Sequence, residues 1–533
     1  NQEKNNLSVK NKKNVLNIVL IFFILSLFFW IDFRFKNSVE CCSDDYDYFS
    51  HAETIALDGD FDYSNQLTTD HPYTYSKDNK IAPVGFPGSG MLSSPFLYVG
   101  NLVDNNLNSE NGKEILNYKL LFYSLSSIFY FFMGYIFIFK SLVELNLKIK
   151  KYQLLLIYSG SGVTYFAFER FSMTHAFEVF AISLLIYQSI NFFKNGNKWS
   201  AISIPFILTI SFFVKMSNYF IFLIPLITKF LVVEKFDNKN NLTKNFYFIL
   251  STLFSSGLYA IISTNIYGKI MFNPQEVYSS NIKLNDIIGQ NNYFEVVADL
   301  FNVFILILFG NEFGIFWVSP IIFSGIFLTL YDYKKLFKLK NILTLVCFAQ
   351  CFGIVYLWKS TGASYGFRYL YALVPLSILV LYSKNSKLPR FFNLIVLLSI
   401  FSNLAILFFE TTEQTQLAMN EQVNSFGVMA NYAEVNYVTG VIKSFFSFNS
   451  YLVIFTTSLV GVLFFKLLIT IFDISYIFDL LQSLGLPTDN SDFIKYIENL
   501  SLISVNKIFT ISLFLLLFSI YIVSFIDKGR KRK

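Results

Sequence analysis

Apolar runs of about 18 or more residues recur along this 533-residue chain, separated by short segments rich in lysine. A run of that length crosses the hydrocarbon of a bilayer as a helix, because inside lipid each backbone N–H and C=O must find its partner within the segment. The expected fold class is therefore all-α, a polytopic membrane helical bundle of about 12–14 spans. Hydrophobic residues make up 54% of the chain and charged residues 15%. An ordinary soluble domain has roughly a quarter charged. The net charge of +6 resides mostly in the lysine-rich connections. It reports topology through the positive-inside rule and does not point to nucleic acid.

Taken in order, spans are expected at about 14–32, 116–139, 152–168, 176–193, 200–214, 219–233, 246–264, 314–331, 342–357, 369–382, 391–409, 451–472 and 507–526. Residues 298–309 are apolar but too short to cross and read as a surface or re-entrant helix. Lys4, Lys10, Lys12 and Lys13 place the N-terminus inside, and the first apolar segment reads as an anchor, since it lacks a small-residue cleavage signature. Residues 33–115 then form a large external loop carrying surface helices, and 410–449 a second external loop. The Gly/Pro/Ser-rich part of the first loop, from His71 to Phe96, is expected to be irregular backbone. Basic residues alternate between faces until the tail, where Lys528 to Lys533 fall on the wrong side. One further crossing is expected within 473–506. The chain divides into a module of residues 1–375 and a C-terminal membrane region, 376–533. No internal repeat stands out. The four cysteines make no disulfide framework: Cys41 and Cys42 are adjacent, and Cys347 and Cys351 lie one helical turn apart in an apolar run.

Within the first loop, Glu40 to Asp62 carries eight carboxylates and no Lys or Arg. Such a cluster at a membrane face repels itself and anionic lipid, so it needs either solvent, a cationic partner or a chemical task. Asp44 and Asp45 follow Ser43, a good N-cap, and Tyr48, Ala52, Ile55 and Ala56 fall at helical spacing. Both carboxylates then sit in the first turn of a helix, where the macrodipole favours their anions. An ionised carboxylate is suited to accept a proton as a general base.

The other charges expected at the external ends of spans are Arg170, His175, Lys215, Lys359 and Arg368. Cations gathered beside carboxylates fit an anionic, lipid-borne substrate, with Arg able to hold phosphate through two parallel bonds. Arg170 and Lys215 equally suit interfacial anchors, and His175 a helix-end histidine. Arg368 closes Gly362-x-x-Tyr365-Gly366-x-Arg368, where two glycines suit close approach of backbone to a ligand.

Several segments, in this order, resemble the integral-membrane glycosyltransferases of the type-C fold. They are Asp44-Asp45-x-x-Tyr48 after one span, Gly59-Asp60-Phe61, Gly85-Phe86-Pro87-Gly88, Ser94-Pro95, Gly314-Ile315-Phe316-Trp317-Val318-Ser319-Pro320, and Gly362 to Leu370. The likeness covers about residues 14–375. Members of that family include protein O-mannosyltransferases, aminoarabinose transferases that modify lipid A, and bacterial envelope-polysaccharide transferases. The resemblance implies a polyprenyl-phosphate-linked sugar as donor and a lipid, glycan or protein as acceptor. It also implies inverting transfer and a site on the external face of a bacterial inner membrane. It carries the base onto Asp44 and an orienting role onto Asp45, with Arg368, Arg170, Lys215 and His175 as donor-phosphate ligands. Some branches use a divalent metal; two adjacent aspartates alone do not make such a site, so no metal and no other cofactor is expected.

Two other classes fit a polytopic chain. An envelope polysaccharide polymerase or ligase would place its large functional loop late with several Arg, whereas Lys443 is the only basic residue of 410–449. A lipid-linked sugar transporter or flippase would carry charges near the bilayer midplane, whereas here they cluster at helix ends, with Lys466 the main exception.

Overall fold

The computed structural model describes residues 43–67, 74–77, 80–106, 118–232, 242–277, 293–310, 313–331, 333–358, 365–384, 388–408 and 437–483. The first and last expected spans, Cys41, Cys42, Lys359, Gly362 and residues 409–436 lie outside them. The chain falls into two compact units. One comprises Glu40–Tyr98 and Tyr123–Lys443; the other comprises Asn1–Val39, Val99–Phe122 and Ser444–Lys533. Residues on both sides of the expected boundary at 375 thus belong to the first unit, because the helix following Arg368 packs into the middle of it.

Among its described residues, the first unit is helical apart from one hairpin and the connecting turns. Helix α1 (Ser43–Glu53) runs into a π-turn, and strands β1 (Thr74–Lys77) and β2 (Lys80–Pro83) pair antiparallel with Tyr75 opposite Ala82. This hairpin, followed directly by α2 (Pro87–Asn106), replaces the irregular backbone expected from His71 to Phe96. Its alternation explains why: Tyr75 and Ala82 are buried, and the Tyr75 ring packs edge-on to Tyr267 at 5.5 Å. Pro87 opens α2, a position where the missing N–H costs nothing.

Helices α3 (Tyr118–Glu144), α4 (Lys151–Ser159), α5 (Val163–Phe168), α6 (His175–Asn195), α7 (Lys198–Val214) and α8 (Ile224–Val232) follow. After them come α9 (Leu242–Tyr267), α10 (Tyr293–Phe309), α11 (Ile315–Val318), α12 (Pro320–Tyr331), α13 (Leu339–Trp358), α14 (Val374–Lys384) and α15 (Pro389–Phe408). Among the described residues, five helical stretches are long and apolar enough to cross a membrane: Tyr118–Glu144, His175–Asn195, Asn245–Tyr267, Leu339–Tyr356 and Pro389–Phe408. On α9, Phe246, Ile249, Leu253, Phe254 and Ile261 form an exposed apolar stripe at helical spacing, the arrangement expected of a face turned to lipid.

Two expected spans of the first unit are broken. Span 152–168 divides at Gly160–Gly162, where Gly162 has φ +83° and an added Cβ would meet the Tyr371 hydroxyl at 2.5 Å. Span 314–331 divides at Ser319, because Pro320 starts a new helix. In lipid, helix association rests on close packing and interhelical hydrogen bonds. Tyr158 donates to the Phe131 carbonyl at 2.9 Å, Ser127 to Ala167 at 2.6 Å, and Asn403 to Leu156 at 3.1 Å.

Two of the shorter apolar stretches share a pattern. Each opens with a 3-10 turn, Tyr219–Leu223 or Arg368–Leu373, and continues as a helix whose second residue is proline, Pro225 or Pro375. Their sequences echo one another: Tyr219-Phe-Ile-Phe-Leu-Ile-Pro225 and Tyr369-Leu-Tyr-Ala-Leu-Val-Pro375. Proline disfavours α geometry in the residue before it and supplies no N–H, which suits a tightened entry turn. Both 3-10 turns pack on α13.

In the second unit, Asp104 caps the start of α3 by accepting from the Tyr118 and Lys119 N–H groups at 2.9 and 2.8 Å. The expected span 451–472 is two helices, α16 (Phe448–Thr457) and α17 (Leu459–Ile471), divided at Ser458, whose hydroxyl caps α17. A short helix, Ile474–Ser483, begins the stretch in which a further crossing is expected.

Candidate active site at the acidic helix

Asp44 and Asp45 occupy the first turn of α1, with Ser43 as its first helical residue. The helix is not laid on a surface: Asp45, Asp47, Tyr48, Phe49, Ser50, His51 and Ala52 are all buried by the rest of the chain. Of the expected packing residues, Tyr48 and Ala52 are buried and Ile55 and Ala56 half-buried. A helix this polar tolerates burial because distant cations meet its charges. Arg368 Nη1 donates to Asp44 Oδ2 at 3.0 Å, and Arg170 Nη2 donates to Asp45 Oδ2 at 2.9 Å. The two carboxylates differ in access: the Asp44 side chain is 39% exposed and that of Asp45 is 3%.

Burial raises Asp45 to about 6, against the pull of Arg170 and with some help from the Asp44 charge. Burial also pushes Asp47 well above the usual carboxylate range, opposed by the Gly85 N–H that donates to its Oδ2 at 2.9 Å. His51 sits one turn further on, with Nε2 2.8 Å from the Gly85 carbonyl and Nδ1 2.6 Å from the Tyr63 hydroxyl. A carbonyl only accepts, so Nε2 carries the hydrogen and Nδ1 accepts from Tyr63. Burial lowers His51 to about 4, so it is neutral at pH 7.

Gly85 is thus held from both sides by α1, and an added Cβ would stand 2.8 Å from Asp47 Cβ. Gly88, three residues on, lies against the end of α7, where a Cβ would come 2.2 Å from the Val214 backbone nitrogen. The Gly85-Phe86-Pro87-Gly88 segment therefore lets the acidic helix and the Lys215 turn close on one short stretch of chain.

Lys215, buried at the end of α7, places Nζ 4.6 Å from the Tyr369 ring centroid and 3.6 Å from Glu178 Oε1. Arg368 Cζ lies 5.3 Å from the same ring. His175 Nδ1 is 3.1 Å from Glu178 Oε2, and Asn218 Nδ2 donates to Glu178 Oε1. His175 is thereby committed through one nitrogen to a carboxylate. The six residues that the resemblance assigns to the site are all described, and they form two clusters that share Tyr369. Asp44, Asp45, Arg170 and Arg368 make one; His175 and Lys215, gathered on Glu178, make the other.

Gly59, Asp60 and Phe61 stand apart. Asp60 accepts from the Asp62 N–H at 3.0 Å in an exposed turn. Val318, in the segment from Gly314 to Pro320, underlies the Arg368 loop: its carbonyl accepts from Ser402 at 2.8 Å, and its side chain abuts Gly366. Gly366 has φ +62°, and Tyr371 donates to the Tyr365 carbonyl at 3.0 Å, fixing the turn that delivers Arg368.

Sequence reasoning missed Asp47, His51, Glu178 and Tyr369. A signal for Glu178 was present, since it is the only carboxylate in the apolar segment 175–195, and an ionisable residue inside a span marks function by default. No group of three or more His, Cys, Asp and Glu suited to a metal ion occurs among the described residues. No protein-family model, no curated protein and no solved structure matches this chain.

Proposed function

We propose that this chain is a membrane glycosyltransferase that moves a sugar from a polyprenyl-phosphate carrier to an acceptor hydroxyl, with inversion. The reading takes the bundle as 12–14 spans of a bacterial inner membrane, with the site at its external face. The observation that carries it is the pairing of a reachable carboxylate, Asp44, with Arg368, beside a second cation, Lys215, on the same tyrosine ring. A base and a phosphate-binding pair are what such a transfer requires.

In this reading Asp44 takes the proton of the acceptor hydroxyl. The acceptor oxygen attacks the anomeric carbon from the face opposite the phosphate. The bond from that carbon to the phosphate oxygen breaks, and its electron pair stays on the oxygen. The products are the glycosylated acceptor, a protonated Asp44 and a polyprenyl phosphate carrying one more negative charge. Arg368 and Lys215 stabilise that developing charge, and cations fixed beforehand in a site of low dielectric are most effective there. Asp45 is too enclosed to meet an acceptor and instead holds Arg170.

The test is sugar release from a radiolabelled polyprenyl-phosphate sugar by the purified protein in detergent. Transfer or hydrolysis by wild type and its loss in Asp44→Asn support the reading. Intact carrier with wild type, under conditions where the protein is folded, refutes it.

A further inference from the structure

Glu178 has no part in the chemistry proposed above, yet it is the residue on which the second cluster converges. It is buried in the first turn of α6, where the helix macrodipole favours an anion. Its two oxygens are shared among His175, Asn218 and Lys215. Lys215 Nζ is 3.6 Å from Glu178, too far for a hydrogen bond, and has no hydrogen-bond acceptor among the described residues. The same holds for a donor of Arg368, its Nε. A buried ammonium left with N–H groups unused is costly, and an oxyanion drawing on both residues would relieve that cost.

We propose that Glu178 is a positioning residue for the donor phosphate. Its carboxylate holds the Lys215 ammonium over the Tyr369 ring, so that Lys215 and Arg368 meet one phosphate group without Glu178 touching it. The inference rests on the glycosyl-transfer reading and adds to it the group that sets the geometry of its phosphate site. Two effects compete. Glu178 is an anion near an incoming anion, which repels. Against this, a lysine has four rotatable bonds, and a partner that fixes its head removes that freedom before the ligand arrives. The buried, thrice-shared position of Glu178 makes the second effect the larger.

The experiment measures binding of farnesyl phosphate to the purified full chain in detergent, for wild type, Glu178→Gln, Lys215→Met and the double variant. Glu178→Gln should weaken binding roughly tenfold, and the double variant should bind no worse than Lys215→Met, since coupled neighbours are non-additive. Equal affinity in Glu178→Gln, tighter affinity, or additive losses would each overturn the proposal. If Glu178→Gln does not fold, Glu178→Asp is measured in its place. Its side chain is one methylene shorter, so it should weaken binding in wild type and change nothing in the Lys215→Met background, and equal losses in both backgrounds would overturn the proposal. Should wild type fail to bind farnesyl phosphate at all, the glycosyl-transfer reading falls and this inference with it. That outcome is distinct from binding that ignores Glu178.

Discussion

Arg368 Nη1 donates to Asp44 Oδ2 across 3.0 Å, joining residues 324 positions apart in the chain. The contact ties the first turn of the acidic helix to the 3-10 turn that precedes α14. It leaves Asp44 partly open, while its neighbour Asp45 is closed in against Arg170. Adjacent aspartates thus acquire different environments from different arginines, and different environments give different tasks.

Asp44→Asn should fold and fail to transfer, with a loss of about 10²–10⁴-fold in rate, the usual worth of a general base. Asp45→Asn should behave differently. It loses the charge opposite Arg170 but keeps an oxygen that can accept from it, and burial already favours an uncharged group at this position. It should keep its thermal midpoint in detergent and most of its transfer rate. Transfer rates and midpoints for the two variants check both statements; a rate lost in Asp45→Asn with an unchanged midpoint would move the base to Asp45.

Arg368→Lys keeps the charge but not the planar fork. Arg368 uses Nη1 for Asp44 and brings Nη2 to 3.4 Å from the Tyr369 hydroxyl, a pair of directions an ammonium cannot reproduce. KM for the carrier-linked sugar should rise about tenfold or more, each tenfold being about 1.4 kcal/mol. Unchanged kinetics would reduce Arg368 to an interfacial anchor.

The acidic helix, the helix-end cations and the long apolar helices were legible in the sequence because they depend on local spacing and on charge sign. What the sequence hid depends on partners far along the chain. Residues 44–53 read as a polar surface helix, since nothing nearby announces that Arg170 and Arg368 neutralise them. The hairpin at 74–83 was obscured by flanking Gly and Pro, and its signal, alternate burial of Tyr75 and Ala82, exists only once Tyr267 is in place. Breaks at Gly162 and Pro320 were overridden by a hydropathy that runs straight through them. Glu178 was visible as a residue but not as a hub, because its three partners come from a helix start and a turn 40 residues away.

Gly88 gives a test of how the site is assembled. A methyl group there would stand 2.2 Å from the Val214 nitrogen and 2.5 Å from the Phe213 carbonyl carbon, both backbone atoms that cannot rotate aside. Gly88→Ala must separate α2 from the Lys215 turn, and overpacking of this kind costs typically 1–3 kcal/mol. The expected outcome is a lowered thermal midpoint together with weakened farnesyl phosphate binding. A variant with wild-type midpoint and binding would show that the Lys215 turn does not depend on this contact.

The last prediction concerns acid. Asp45 is raised from 3.8 to about 6 in the folded chain. The native state therefore binds more protons than the unfolded state between about pH 4 and 6. By linkage, the Asp45 contribution to stability grows as pH falls through 6 and is complete below the unfolded value near 4. His51, lowered from 6.5 to about 4, has the opposite sign. Its unfolded state takes up the proton first, so its contribution is complete above pH 6.5 and lost as pH falls toward 4. Asp47, which burial also raises, shares the sign of Asp45, so wild type alone reports the sum of all three groups. The informative quantity is the midpoint of wild type minus that of Asp45→Asn, in which His51 cancels. That difference should shift in favour of wild type between pH 7 and 4.5. A shift in the other direction would mean that Arg170, not burial, sets the proton affinity of Asp45.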